Sequence, residues 1–303
     1  MLKQNLQDMI GALPKETGFK KRARFHQGWW RTFILAEKQG QHPIRKVELI
    51  GSSIQQGEIN GKNFLSENIR KAVRQTIQER QESGSGIMEE ERLFNNLLSS
   101  QPLCFNFFGE LKIDKDFALH ALQRFYPEIT AVRQVVFEYA PEEKYTHDNS
   151  AFDVAFEVEK GDAVGLIGFE AKYTDTFSQR EYDKPEYRDI YKKSALFNEG
   201  YTQYVSGRYN QLFRNQLMAE AMLQNKKYNF VYTGLFCHHA DQHAVEIGEE
   251  FKQMLVDQTR FTIITYQNYI EELQQLPLSW NRRELTMMLW ARYCATQLSD
   301  NLY

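Results

Sequence analysis

The sequence predicts an α/β protein: a central mixed β-sheet flanked by helices, with a basic, helical N-terminal extension ahead of it. Three observations carry that expectation. From about residue 133 the chain contains β-rich runs with period-two alternation, RQVVFEYA, FDVAFEV at 152–158 and VGLIGFEAKY at 164–173. Beyond them helix-like and strand-like segments alternate to the C-terminus, the order that layers helices on a sheet. Ahead of them, residues 1–85 carry 15 Lys and Arg against 8 Asp and Glu, a balance of +7, so a chain of net charge -3 leaves -10 for the other 218 residues.

Composition bounds the rest. With 303 residues, 42% hydrophobic and 25% charged, the chain can bury a sizeable core as one large domain or two small ones. No run of 18 apolar residues is present, which excludes a membrane-spanning helix. The first residues place their charges after a weakly apolar stretch, the reverse of a secretory signal, so a cytoplasmic protein is expected. Cys104, Cys237 and Cys294 lie far apart and outside any zinc spacing, and read as buried free thiols.

Along the chain, residues up to about 50 interleave Lys20, Lys21, Arg22, Arg24 and Arg31 with Phe19, Phe25, Trp29 and Trp30. Such a mixture suits either phosphate and base contacts or an arm docked by its tryptophans, the second being favoured for the tryptophans. Residues 51–63 read as loop. Ser66 is placed to cap a helix running to about residue 81, with Ile69, Val73 and Ile77 at spacing four. The SGSG at 83–86 is the best linker, dividing an extension over 1–82 from an α/β domain over 83–303. A second helix is expected from Ile87 to Ser100, and counting 100° per residue puts Glu90 near the centre of its apolar face and Glu91 at the rim. LCFNFFGEL is apolar without a decisive period. A helix follows at 116–125, then the strands; after them come a long helix at 200–226, a strand at 228–236, a helix at 244–257, a strand at 261–266 and terminal helices.

The chemistry concentrates at the turn between the second and third runs. Lys160-Gly161-Asp162-Ala163 suits a two-residue hairpin loop, and a symmetric hairpin there pairs residues whose numbers sum to 323. Asp153 and Glu170 meet that condition, so the two carboxylates face each other across the strands. Lys172, two residues on, emerges on the same face. Opposed carboxylates call for positive charge between them. Lys172 supplies part of it, and a hard divalent cation such as Mg²⁺ fits the oxygen donors better. Glu-x-Lys recurs at Glu110, Glu142 and Glu250, but only Glu170 lies on an apolar strand with an acid at the mirror position; a solvated charged strand face is the alternative.

Further along, Gln211 and Arg214 share one side of a helix, where an amide and a guanidinium could meet a substrate backbone or simply face solvent. His238, His239 and His243 read as surface loop residues, and the lack of a Gly-rich phosphate loop argues against nucleotide hydrolysis and dinucleotide chemistry.

Asp153, the hairpin and FEAKY with Glu170 and Lys172 resemble the PD-(D/E)XK nuclease superfamily, the fold of restriction endonucleases. ERLFNNLLSSQPLCFNFFGEL, the FEAKYTDTF strand and the Gln/Arg-bearing helix are similar to a little-characterised prokaryotic branch of it, over roughly residues 60–235. Phe152 stands where the name-giving motif has proline. The resemblance implies a restriction endonuclease-like core and Mg²⁺-dependent hydrolysis of DNA phosphodiesters, with Mn²⁺ an alternative ion, RNA an alternative substrate and a homodimer an option. It implies that Asp153 and Glu170 hold the metal, that Lys172 orients the attacking water or stabilises the transition state, and that Glu90, with Glu91 as rival, matches the helix glutamate many members add. The rival readings are a catalytically silent nucleic-acid-binding or scaffold protein of the same fold, and a metal-dependent hydrolase of another substrate.

Overall fold

The computed structural model describes residues 2–11, 15–42, 47–83, 89–178 and 180–303. The chain divides into two compact units that interleave along the sequence: one holds Met1–Ile113, Tyr173–Asp175 and Tyr266–Tyr303, the other Asp114–Lys172 and Thr176–Thr265. Neither coincides with 1–82 or 83–303. Among the described residues no helix is long and apolar enough to cross a membrane.

The first unit begins with α1 (Leu2–Ile10) and α2 (Gly18–Trp29), then a two-stranded antiparallel sheet of β1 (Gln39–Gln41) and β2 (Leu49–Ile54). Residues 51–54 are thus buried strand rather than the expected loop. After α3 (Gly57–Asn60) comes α4 (Glu67–Ser83), capped as the sequence indicates, with the Ile69 N–H donating to Ser66 Oγ at 3.1 Å. The helix expected from Ile87 is shorter: α5 spans Glu90–Asn95, and Ile87 and most of the SGSG segment fall outside the described residues. LCFNFFGEL lies in α6 (Ser100–Ile113), buried continuously from Gln101 to Leu111; a helix apolar all round leaves no period to read.

The basic residues near the N-terminus are largely engaged within this unit. Arg24 pairs with Glu16 at 2.6 Å, Arg22 with Asp300, and Arg31 donates to the Gly51 and Met9 carbonyls at 2.8 Å; Trp30 is core.

The second unit starts at α7 (Lys115–Gln123), where Asp114 accepts from the Phe117 N–H at 2.9 Å. Its sheet has the order β3 (Ala131–Tyr139), β4 (Phe152–Lys160), β5 (Ala163–Lys172), β6 (Phe230–Cys237), β7 (Phe261–Thr265). The first three strands are antiparallel and the last two join in parallel, so the sheet is mixed. The hairpin closes with Lys160 opposite Ala163 and Gly161 at a φ of 57°, a left-handed conformation that favours glycine. Its register runs from that pair to Val154 opposite Phe169, every pair summing to 323 as the loop dictates.

Between β5 and β6 the chain forms α8 (Pro185–Lys193), α9 (Tyr201–Val205) and α10 (Asn210–Gln224). The single helix expected over 200–226 is therefore interrupted around Ser206 and Gly207. On α10, Leu212, Phe213 and Leu217 pack with Leu235 and Cys237, while Met218, Ala219 and Met222 pack with Ala155 and Leu166. This burial fixes α10 over one face of β4, β5 and β6. α11 (Gln242–Gln253) follows β6, and α12 (Tyr266–Gln274) and α13 (Trp280–Tyr293) return to the first unit. Tyr173 belongs to that unit's core, its hydroxyl accepting from Gln27 Nε2 at 2.9 Å. The three cysteines are free and buried.

Candidate active site on the β4–β5 hairpin

The hairpin register brings Asp153 and Glu170 to one face, one step beyond the pair Val154–Phe169. Asp153 Oδ2 accepts from the Ala171 N–H at 2.6 Å, which locks the carboxylate against β5. Glu170 and Lys172 are nearly buried, with side-chain exposures of 7% and 8%, and their charges meet at 3.0 Å. Phe177 underlies the ammonium, its ring centroid 5.1 Å from Nζ.

Helix α10 supplies the other partners. The Gln211 carboxamide bridges the pair, its oxygen accepting from Lys172 Nζ at 2.9 Å and its Nε2 donating to Glu170 Oε1. One turn on, Asn215 Nδ2 donates to Glu170 Oε2 at 3.0 Å. Two amides at spacing i, i+4 therefore hold both oxygens of one carboxylate. Arg214 turns toward the segment before β4, with Nε 3.0 Å from Asp148 Oδ2 and Nη2 2.9 Å from Ser150 Oγ.

The electrostatics single out Asp153. Burial pushes its pKa well above the usual carboxylate range, and the charges of Glu170 and of Glu138 on β3 push the same way; the Ala171 N–H and Lys172 only partly offset them. A partly buried carboxyl held against ionisation by neighbouring acids is an environment in which a cation is favoured. Asp148 behaves oppositely: burial would raise it, but hydrogen bonds from Tyr187, Thr146 and the Ser150 N–H, with the Arg214 charge, bring it to about 2.

A model of the PD-(D/E)XK nuclease superfamily matches residues 14–295. The chain belongs to the PD-(D/E)XK nuclease superfamily. Its five-stranded mixed sheet with flanking helices is the restriction endonuclease-like fold of that superfamily. No curated protein and no solved structure matches the chain. Members of the PD-(D/E)XK superfamily are usually hydrolytic nucleases that use divalent metals.

The residues fit such an ion in kind. Asp153 and Glu170 offer only carboxylate oxygens, the donor type hard cations prefer, and with Lys172 they leave a net negative charge. Asp153 Oδ1 has no hydrogen-bond donor among the described residues. Among those residues no three His, Cys, Asp or Glu side chains are grouped so that they could hold a metal ion.

Two sequence expectations need correction. Glu90 is exposed in the first turn of α5 and is not aimed at a core: the helix starts at Glu90, so the angular count from Ile87 does not apply. Glu91 is exposed as well. His238 is buried rather than a surface loop residue, its Nδ1 accepting from the Ala240 N–H at 2.9 Å, while His239 and His243 are exposed.

Asn215 and Asp148 were not singled out from sequence. The i, i+4 spacing of Gln211 and Asn215 was the available signal, and nothing in the sequence alone marks Asp148. If Glu170 holds a divalent ion, Asn215→Ala should weaken Mn²⁺ binding by about 10-fold or more, the usual effect of losing a residue that orients a metal ligand, measured by calorimetric titration.

Proposed function

We propose that the protein is a divalent-metal-dependent nuclease that hydrolyses phosphodiester bonds of DNA in the cytoplasm. The observation that carries this reading is Asp153, one step past the Val154–Phe169 pair and hydrogen-bonded through Oδ2 to the Ala171 N–H, beside Glu170, whose carboxylate lies 3.0 Å from Lys172 Nζ. Asp153 and Glu170 would hold the ion, Mg²⁺ or Mn²⁺. When bound, that ion supplies Lewis acidity to the phosphate and lowers the pKa of the attacking water. Lys172 offers a directed positive charge where negative charge grows on the phosphate, or a donor that orients the water. Gln211 aims that ammonium, and Ala171 fixes the Asp153 carboxylate.

Incubating plasmid DNA with the protein in Mg²⁺ and in EDTA tests the proposal. Nicking or linearisation in Mg²⁺ alone is the expected outcome, with structured RNA and a small phosphodiester as parallel substrates. Cleavage of the small ester without cleavage of DNA would replace the nuclease reading with a hydrolase of another substrate. A second reading, a catalytically silent nucleic-acid-binding protein, is favoured by one observation: both Glu170 oxygens are already hydrogen-bonded. Retention of DNA without cleavage in Mg²⁺ or Mn²⁺ would select it.

A further inference from the structure

The turn Gln211–Asn215 of α10 reaches both halves of the hairpin site. Gln211 and Asn215 hold Glu170 and Lys172 on β5, whereas Arg214, from the same turn, holds the stretch that delivers Asp153. On its β3 side the start of β4 is held by the ladder, with Phe152 opposite Tyr139, but on the side facing β5 the stretch before Val154 has no ladder pair. Residues 140–151 connect β3 to β4 without regular structure, and Asp153 is only the second residue of β4, beyond the last ladder pair with β5. Asp148 organises the segment. Its Oδ1 accepts from Thr146 Oγ1 at 2.7 Å and from the Ser150 N–H at 2.9 Å, while its Oδ2 accepts from Tyr187 and from Arg214 Nε. Ser150, three residues before Asp153, is itself held by Arg214.

We propose that Arg214 and Asp148 are positioning residues which, through one turn of α10, set the place of Asp153 relative to Glu170 and so the affinity of the centre for its divalent ion. This rests on the metal-dependent reading above and assigns Arg214 an inward role in place of contact with a substrate backbone. A planar guanidinium suits the task because it engages a carboxylate and a hydroxyl at once from a fixed fork.

The same helix provides a matched control. Glu220 pairs with Arg260 at 2.8 Å, and its exposure of 9% against 20% for the arginine nearly equals the 9% and 18% of Asp148 and Arg214. Removing either pair removes a comparable ion pair, but only one touches the lead-in to Asp153. Mn²⁺ is titrated calorimetrically into the full-length, metal-free wild type and its Asp148→Asn, Arg214→Lys, Glu220→Gln and Asp153→Asn variants, with the melting temperature of each recorded. Asp148→Asn and Arg214→Lys should weaken Mn²⁺ binding about 10-fold or more, whereas Glu220→Gln should lower the melting temperature and leave affinity unchanged. Arg214→Lys keeps the charge and carries the test should Asp148→Asn fail to fold. Wild-type affinity in Asp148→Asn or in Arg214→Lys, or an equal loss in Glu220→Gln, overturns the proposal while Asp153→Asn still marks the metal site. A wild type that does not bind Mn²⁺, or an Asp153→Asn variant that binds like wild type, removes the metal reading and this proposal together.

Discussion

Lys172→Ala is expected to reduce Mg²⁺-dependent cleavage of plasmid DNA by about 10²–10³-fold, the scale on which removing one directed charge or donor from a transition state acts. The ammonium is nearly buried and held at 3.0 Å from Glu170 by the Gln211 carboxamide above the Phe177 ring, so it is fixed in direction before substrate arrives. Removing it also leaves the Glu170 charge beside Asp153 without its cation, and breaking a buried pair from one side costs about 3–5 kcal/mol where burial is complete. Lys172→Ala should therefore melt earlier than wild type, and cleavage should be assayed well below its transition. Lys172→Gln, which keeps a donor, should recover stability before it recovers cleavage. Equal cleavage by Lys172→Ala and wild type would place the chemistry elsewhere.

Asp153→Asn should separate stability from activity in opposite directions. Burial and the charges of Glu170 and Glu138 raise the folded-state pKa of Asp153 above its unfolded value, so the folded protein binds that proton more tightly. The resulting stabilisation is fully present below the unfolded value, near about 4, and is lost as pH climbs through the folded-state value. At neutral pH in EDTA an ionised Asp153 is a burden, which asparagine removes at nearly constant shape. The metal-free variant should melt a few degrees higher than wild type, with a flatter pH dependence above pH 4. It should lose cleavage, and Mg²⁺ should no longer raise its melting temperature as it does for a protein that binds the ion only when folded. A variant that melts lower than wild type in EDTA at neutral pH would contradict the electrostatic account.

The hairpin beneath the candidate site was legible because a two-residue loop leaves no freedom of register: once Gly161-Asp162 is the turn, the pairs sum to 323 as far as Val154 and Phe169, and the same count carried one step further brings Asp153 toward Glu170. What the sequence did not disclose follows from burial and from long-range pairing. α6 is buried from Gln101 to Leu111 and shows no amphipathic period, and the parallel pairing of β5 with β6 joins Gly165 to Phe230 across 65 residues with no local signal. α8 was missed because it is short and rich in polar and tyrosine residues, with only Tyr187 and Ile190 buried. Glu90 was misplaced because the apolar face it was assigned to was defined by Leu97 and Leu98, which lie beyond the end of α5 at Asn95. The hydrogen-bonding ends of Gln211 and Arg214 could not be read before α10 was docked on the sheet.

The interleaving of the two units bears on how such a protein can be cut apart or recombined. The backbone leaves the sheet-bearing unit right after Lys172, lends Tyr173–Asp175 to its neighbour, and returns at Thr176. No single scission in the gene separates the two bodies cleanly: a product ending at Ile113 lacks α12, α13 and Tyr173, and one starting at Asp114 keeps the sheet-bearing unit but also carries those pieces without the core they complete. Excising the hairpin with the unit that carries it therefore takes two cuts, one before Asp114 and one after Thr265, and leaves Tyr173–Asp175 as an insert stripped of its own core.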